Sequence, residues 1–176
     1  MTRYFPHTTT EFRIEEPPAF RRFTRSIIEI ALVTGVLVRL YRALAMTTGP
    51  SGNWLYFGAT FTAGLLFILG MATLHLGNYP VRHWLWRAPV FGALEAAAEA
   101  LTSLALIYAH REPMGSDRAH IRDWPGIAAN TLLWRLAIVC VFALLLAGVV
   151  QLVRYMLLRR ENRVHTAVAV HEKQSQ

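Results

Sequence analysis

The sequence predicts an all-α membrane protein with four transmembrane helices in an antiparallel up-down bundle and both termini on the cytoplasmic side. Three observations carry that expectation. Four apolar runs each reach the roughly 20 residues a helix needs to cross a hydrocarbon core. Of the 176 residues, 54% are hydrophobic and 16% charged, whereas soluble domains carry roughly a quarter charged residues. The basic residues, 18 in all with Lys173 the single lysine, gather at the ends of the apolar runs.

The chain divides into a cytoplasmic or interfacial arm (1–25), a transmembrane domain (26–160) and a cytoplasmic tail (161–176). The arm contains Pro6, Pro17 and Pro18 together with charges of both signs, as suits a segment lying on the membrane surface. The apolar run behind it begins deep in the chain and lacks a small-residue cleavage pattern, so an uncleaved first span is expected over 26–46. That span carries Glu29, Arg39 and Arg42. The turn formers Thr47 to Asn53 predict a tight hairpin into the second span, 54–76. Trp54 and Tyr56 stand where an interfacial aromatic belt belongs. Ala59 and Ala63, beside Gly58, Thr62 and Gly64, offer a small-residue face for close helix contact.

Asn78 to Arg87 has the mixed aromatic and basic composition of the headgroup layer. Pro89 then suits the first turn of a third span, 88–109. Polar residues from His110 to Trp124 separate it from a fourth span, 126–158, whose last turns carry Arg154, Arg159 and Arg160 into the cytoplasm. The arm, middle loop and tail hold 5, 2 and 5 basic residues, against 0 and 3 in the first and third loops. Glu112, Asp117 and Asp123 balance the last group, and the positive-inside rule therefore places both termini inside. The expected location is the inner (cytoplasmic) membrane of a bacterium.

Charged residues inside the spans are the candidates for function: Glu29, Arg39, Glu95, Glu99 and Arg135. A charge at mid-helix costs about 2.5–3.5 kcal/mol on insertion, so each must face protein or water. At a rise of about 1.5 Å per residue, Glu99, Arg39 and Arg135 fall at nearly one depth. Glu95 and Glu99 are four apart and share a helix face, continued by Gly92, Thr102 and Ser103. Two such carboxylates do not both ionise in a low dielectric unless cations compensate them. Either one keeps a proton, or both pair with Arg39 and Arg135, and the count of two and two favours pairing. Arg42, nearer the outer surface, is expected to snorkel outward.

His75, at the inner end of the second span, is the residue at which haem or metal ligation is weighed. A transmembrane haem calls for a second histidine facing it; His83 lies in a loop and His110 at the opposite face. No cofactor is therefore expected, and His75 is read as an interfacial histidine bonded to Glu29 or lipid. His110 and His120 flank Asp117 and Asp123 without a spacing that defines a metal geometry. Cys140 alone makes neither a disulfide nor a redox pair. Enzyme motifs such as G-x-S-x-G or H-E-x-x-H do not occur.

The function expected is thus non-enzymatic: a membrane subunit or scaffold acting through helix–helix contacts in a larger complex, with a buried Glu/Arg network fixing the bundle. The alternative is a small proton-coupled transporter using Glu95 and Glu99. Expected partners are other membrane subunits or a second copy, and lipids, with anionic headgroups near Arg21, Arg22, Arg25, Arg159 and Arg160. Nucleic acid is not expected, because no basic stripe interleaves with aromatics on a soluble element.

Overall fold

The computed structural model describes residues 17–50, 52–114 and 117–174, with side chains described up to Arg159 except at Asp117. Most of the arm, and the Arg160 side chain expected to meet anionic lipid, lie outside that description. Among the described residues the chain is helical apart from turns and one two-residue ladder. In order it forms α1 (Pro18–Arg25), α2 (Ile27–Thr48), α3 (Trp54–Leu76), a 3-10 turn (Val81–His83), α4 (Trp84–Tyr108), β1 (Pro113–Met114), β2 (Asp117–Arg118) and α5 (Trp124–Gln174). Three helices are long and apolar enough to cross a membrane: Trp54–Leu76, Val81–Tyr108 and the Trp124–Arg159 part of α5. Their composition marks the chain as a membrane protein.

Local chemistry sets the element ends. Pro18 opens α1 at a position whose N–H has no helical partner in any case. The Ser26 side chain accepts from the Glu29 amide at 3.3 Å and starts α2. Asn53 does the same for α3 through the Tyr56 amide at 3.1 Å. Between them Gly52 takes φ of 79°, a left-handed conformation that side chains rarely adopt.

The third helix begins at Trp84, four residues ahead of its expected start at 88, and Pro89 sits inside it. The 3-10 turn at Val81–His83 already points the chain into the helix, so Trp84, Trp86 and Arg87 are helical and not part of a headgroup loop.

α4 is the central helix, packed on α2 along one side and on α5 along the other, while α3 rests chiefly on α2. Its buried positions accordingly cover a broad arc, from Trp84, Ala88 and Phe91 through Gly92, Glu95 and Ala96 to Glu99 and Ser103. The peripheral helices bury narrow stripes. In α3 these are Thr60, Gly64, Ile68 and Ala72, and in α5 they are Arg135, Val139 and Ala143, both at a spacing of four that lines one helical face. Much of the remaining described surface of α3 and α5 is apolar and exposed, including Leu66, Leu74, Leu133, Leu145 and Val149.

Two small residues bring the backbones together at the level of the acids. A Cβ at Gly35 of α2 would lie 2.8 Å from Ala98 Cβ and 2.9 Å from the Glu99 amide, and closer still to the Glu95 carbonyl oxygen. Gly92 of α4 faces Val139 and Leu136 of α5 in ordinary contact.

α1 docks on the C-terminal end of α3, as the polar contacts there make plain. The Thr24 carbonyl lies 3.0 Å from His75 Nδ1 and accepts from Asn78 Nδ2 at 3.3 Å, and Tyr79 Oη donates to the Arg25 carbonyl at 2.9 Å. Thr24 is buried and Phe23 packs against the core, leaving Arg21, Arg22 and Arg25 on the outer face.

Gly35→Ala should destabilise the fold by about 1–3 kcal/mol, because the added methyl meets backbone that cannot yield locally. Gly70→Ala, whose Cβ meets nothing within 4 Å, should be neutral or stabilising by up to about 1 kcal/mol. Thermal unfolding of both variants in detergent micelles measures the difference; equal effects would refute the close α2–α4 approach.

Candidate functional site

The candidate site is a cluster of six charged side chains at the α2–α4–α5 junction. α4 supplies Glu95 and Glu99 one turn apart, α2 supplies Arg39 and Arg42, α5 supplies Arg135, and the loop after α4 supplies Glu112. All three acids are essentially inaccessible, with Glu95 and Glu112 at 0% and Glu99 at 1%.

Glu99 is the hub. Arg135 binds it with two donors, Nε to Oε2 at 2.8 Å and Nη2 to Oε1 at 3.3 Å, the fork geometry that guanidinium and carboxylate share. Arg42 Nη1 donates to the same Oε1 at 3.0 Å. Arg39 Nη1 stands 3.8 Å from it, an ion pair beyond hydrogen-bond reach. Arg39 instead gives Nη2 to Glu112 Oε1 and, at 3.3 Å, to Ser103 Oγ. The Ser103 hydroxyl donates onward to Glu112 Oε1 at 3.0 Å. Around Arg42, the Phe61 ring of α3 lies 4.9 Å from the guanidinium carbon, a favourable placement against the aromatic face.

Glu95 is bound least. Arg135 Nε lies 3.7 Å from its Oε1, and neither of its oxygens meets a hydrogen-bond donor. Arg39 Nε, Arg42 Nε and Glu112 Oε2 are buried without partners as well, but each belongs to a group already bonded through another atom.

The structure thus gathers Glu95, Glu99, Arg39 and Arg135, and separates Glu29 from them. Glu29 is exposed in the first turn of α2, about 15 Å along the helix from Arg39 at ten residues' distance. Its place in the first turn suits a carboxylate near a helix N-terminus. Arg42 does not snorkel. Three residues from Arg39, it shares the α2 face that meets α4, and a buried carboxylate within reach attracts it more strongly than the outer interface.

No protein-family model, curated protein or solved structure matches the chain.

Glu112 is the residue that periodicity missed. It follows the end of α4 in an irregular turn where His110 takes φ of 54°, and the chain reverses there to bring the carboxylate back beneath the Pro113–Arg118 hairpin. The hairpin register, Pro113 with Arg118 and Met114 with Asp117, and the Ala119 amide on the Glu112 carbonyl at 3.1 Å hold that reversal. The i, i+3 spacing of Arg39 and Arg42, by contrast, was a signal available in the sequence.

His75 is fully buried and bonds neither to Glu29 nor to lipid. Nδ1 lies 3.0 Å from the Thr24 carbonyl, so it carries the proton, and Nε2 accepts from Arg87 Nη1 at 3.2 Å. Both ring nitrogens are committed to the protein. Arg87 in turn lies 3.3 Å over the Tyr79 ring. In the loop between α4 and α5, the His120 amide donates to Asp123 Oδ2 at 2.8 Å, a turn-closing contact. Among the described residues no group of three or more His, Cys, Asp and Glu could hold a metal ion.

Arg135→Leu should cost about 3–5 kcal/mol, because removing one partner leaves buried carboxylates uncompensated. Adding Glu99→Gln should recover part of that loss, since the two sites are coupled. Unfolding of the single and double variants in micelles checks both; additive losses would contradict the pairing.

Proposed function

We propose that the chain is a non-enzymatic subunit or scaffold of a larger complex in the bacterial inner membrane, acting through helix–helix contacts while the Glu/Arg cluster fixes its helices in register. In this reading α2 is a fourth span. Its 22 residues rise about 33 Å, enough for the hydrocarbon core, and the heads of Arg39 and Arg42 turn to acids on neighbouring elements. The short connections at 49–53 and 77–83 suit antiparallel neighbours, and the arginine asymmetry puts both termini in the cytoplasm.

One observation carries the reading: the buried charges face one another while the apolar flanks of α3 and α5 stay uncovered. On α3 the small residues Gly58, Ala59, Thr62 and Ala63 are exposed, the composition that permits close approach of another transmembrane helix. Exposed Arg21, Arg22 and Arg25 on α1, with Arg159 on α5, suit contact with anionic headgroups.

A second reading, a small proton-coupled transporter working through Glu95 and Glu99, draws on the absence of any donor to the Glu95 oxygens.

Purification in a mild detergent followed by native mass spectrometry should give a defined assembly, with other subunits or as a homo-oligomer; a stable monomer contradicts the scaffold reading. Reporter fusions at Asn53 and Asp117 should score outside and at Arg82 and Gln176 inside, and a periplasmic C-terminus removes the four-span arrangement. Glu99→Gln should weaken assembly modestly. Normal assembly with abolished proton flux in reconstituted vesicles would favour the transporter instead.

A further inference from the structure

Of the three carboxyl groups in the cluster, Glu95 alone accepts no hydrogen bond at either oxygen, although its side chain is wholly inaccessible. Arg135 of α5 faces it at 3.7 Å, and Glu99 of its own helix and Arg42 of α2 are the other charged groups close enough to act on it. Arg39 and Glu112 stand beyond these and are bonded to each other. Gly35 of α2 packs against the backbone carbonyl of Glu95, and no part of Glu95 is accessible. A side chain of a partner or a hydrated ion does not fit such an enclosure. A proton does.

Arg135 links this carboxyl to its neighbour. Its Nε lies 2.8 Å from Glu99 Oε2 and 3.7 Å from Glu95 Oε1, so less than an ångström of travel exchanges one carboxylate for the other. Glu99 does not need Arg135 exclusively, because Arg42 also donates to it and Arg39 stands close. Two positions for one guanidinium, between acids one turn apart, make a two-state element.

We propose that Glu95 is a proton-binding site whose occupancy decides which carboxylate Arg135 holds. With a proton on one Glu95 oxygen, Arg135 gives both donors to Glu99, the arrangement in this structure. When the proton leaves to the aqueous phase, the Glu95 carboxylate competes for Nε, and Glu99 keeps Arg42 and Arg39. The charge of the cluster then changes from one positive in excess, three guanidiniums against two carboxylates, to zero. Because Arg135 is the charged anchor of α5 on α4, the exchange acts on the contact of α5 with the Gly92 face of α4. The proposal rests on α4 lying in the membrane and holds for a scaffold or a transporter.

Infrared difference spectroscopy of the full chain in lipid vesicles, acidic against alkaline buffer, tests it directly. Wild type should gain a buried protonated-carboxyl band on acidification, Glu95→Gln should lose that band, and Glu99→Gln, which frees Arg135 for the Glu95 carboxylate, should move it to more acidic buffer. If Glu95→Gln fails to fold, Glu95→Asp retains a carboxyl in a changed setting and should shift the band. No band in wild type, the same band in Glu95→Gln, or an unshifted band in Glu95→Asp overturns the proposal. The readout does not depend on co-purifying partners, so a monomer that shows the band removes the scaffold reading and leaves the proton site standing.

Discussion

The mutual arrangement of α2, α4 and α5 converges on one carboxylate. Glu99 accepts hydrogen bonds from arginines on the helices to either side of α4, so a single buried group sets the rotation and depth of three elements. Lipid tails are as apolar as leucine, and burial alone gives a membrane helix little reason to prefer one neighbour or one register. In the proposed four-span arrangement a misplaced α2 or α5 would leave a guanidinium in hydrocarbon, at about 2.5–3.5 kcal/mol each. The cluster therefore acts by making the alternatives expensive, which is how buried ion pairs specify structure even when their net stabilisation is small.

Close packing and charge pairing support each other here. Gly35 lets α2 approach the α4 backbone beside Glu95 and Glu99, and that approach is what brings Arg39 and Arg42 within reach of the acids. The same arrangement extends through Ser103 to Glu112, tying the loop after α4 to the helices. At the other end, α1 is held by carbonyls of Thr24 and Arg25 that accept from His75, Asn78 and Tyr79. Both ends of the domain are thus fixed by directional polar contacts, and the middle by ions, while α3 and α5 keep broad apolar faces outward.

The helices themselves were legible because run length and hydropathy decide them, and the four-residue spacing of Glu95 and Glu99 announced a shared face pointing inward. Depth arithmetic also set Glu99, Arg39 and Arg135 at one level, where the structure has their side chains. What was not legible depended on chain reversals or on competition between partners. Glu112 reaches the cluster through a non-helical turn that has no period to read. Arg42 had two destinations, the interface and a carboxylate, and the choice is made by where Glu99 stands. Glu29 was grouped with the cluster by charge alone, although its position in the first turn of α2 pointed to the helix end. His75 found a carbonyl on α1, a helix whose docking onto α3 no hydropathy pattern specifies.

The central claim is that Glu99 is held by arginines from both flanking helices, and solid-state magnetic resonance tests it most directly. With isotope labels on the Glu99 carboxyl and on the arginine side chains of the chain in lipid bilayers, the account predicts strong dipolar coupling to guanidinium nitrogens. That coupling should weaken when Arg42 or Arg135 is replaced singly and fall, when both are, to the weaker contact with Arg39. A Glu99 carboxyl uncoupled to any guanidinium, or one whose coupling is unchanged by both replacements, would contradict it.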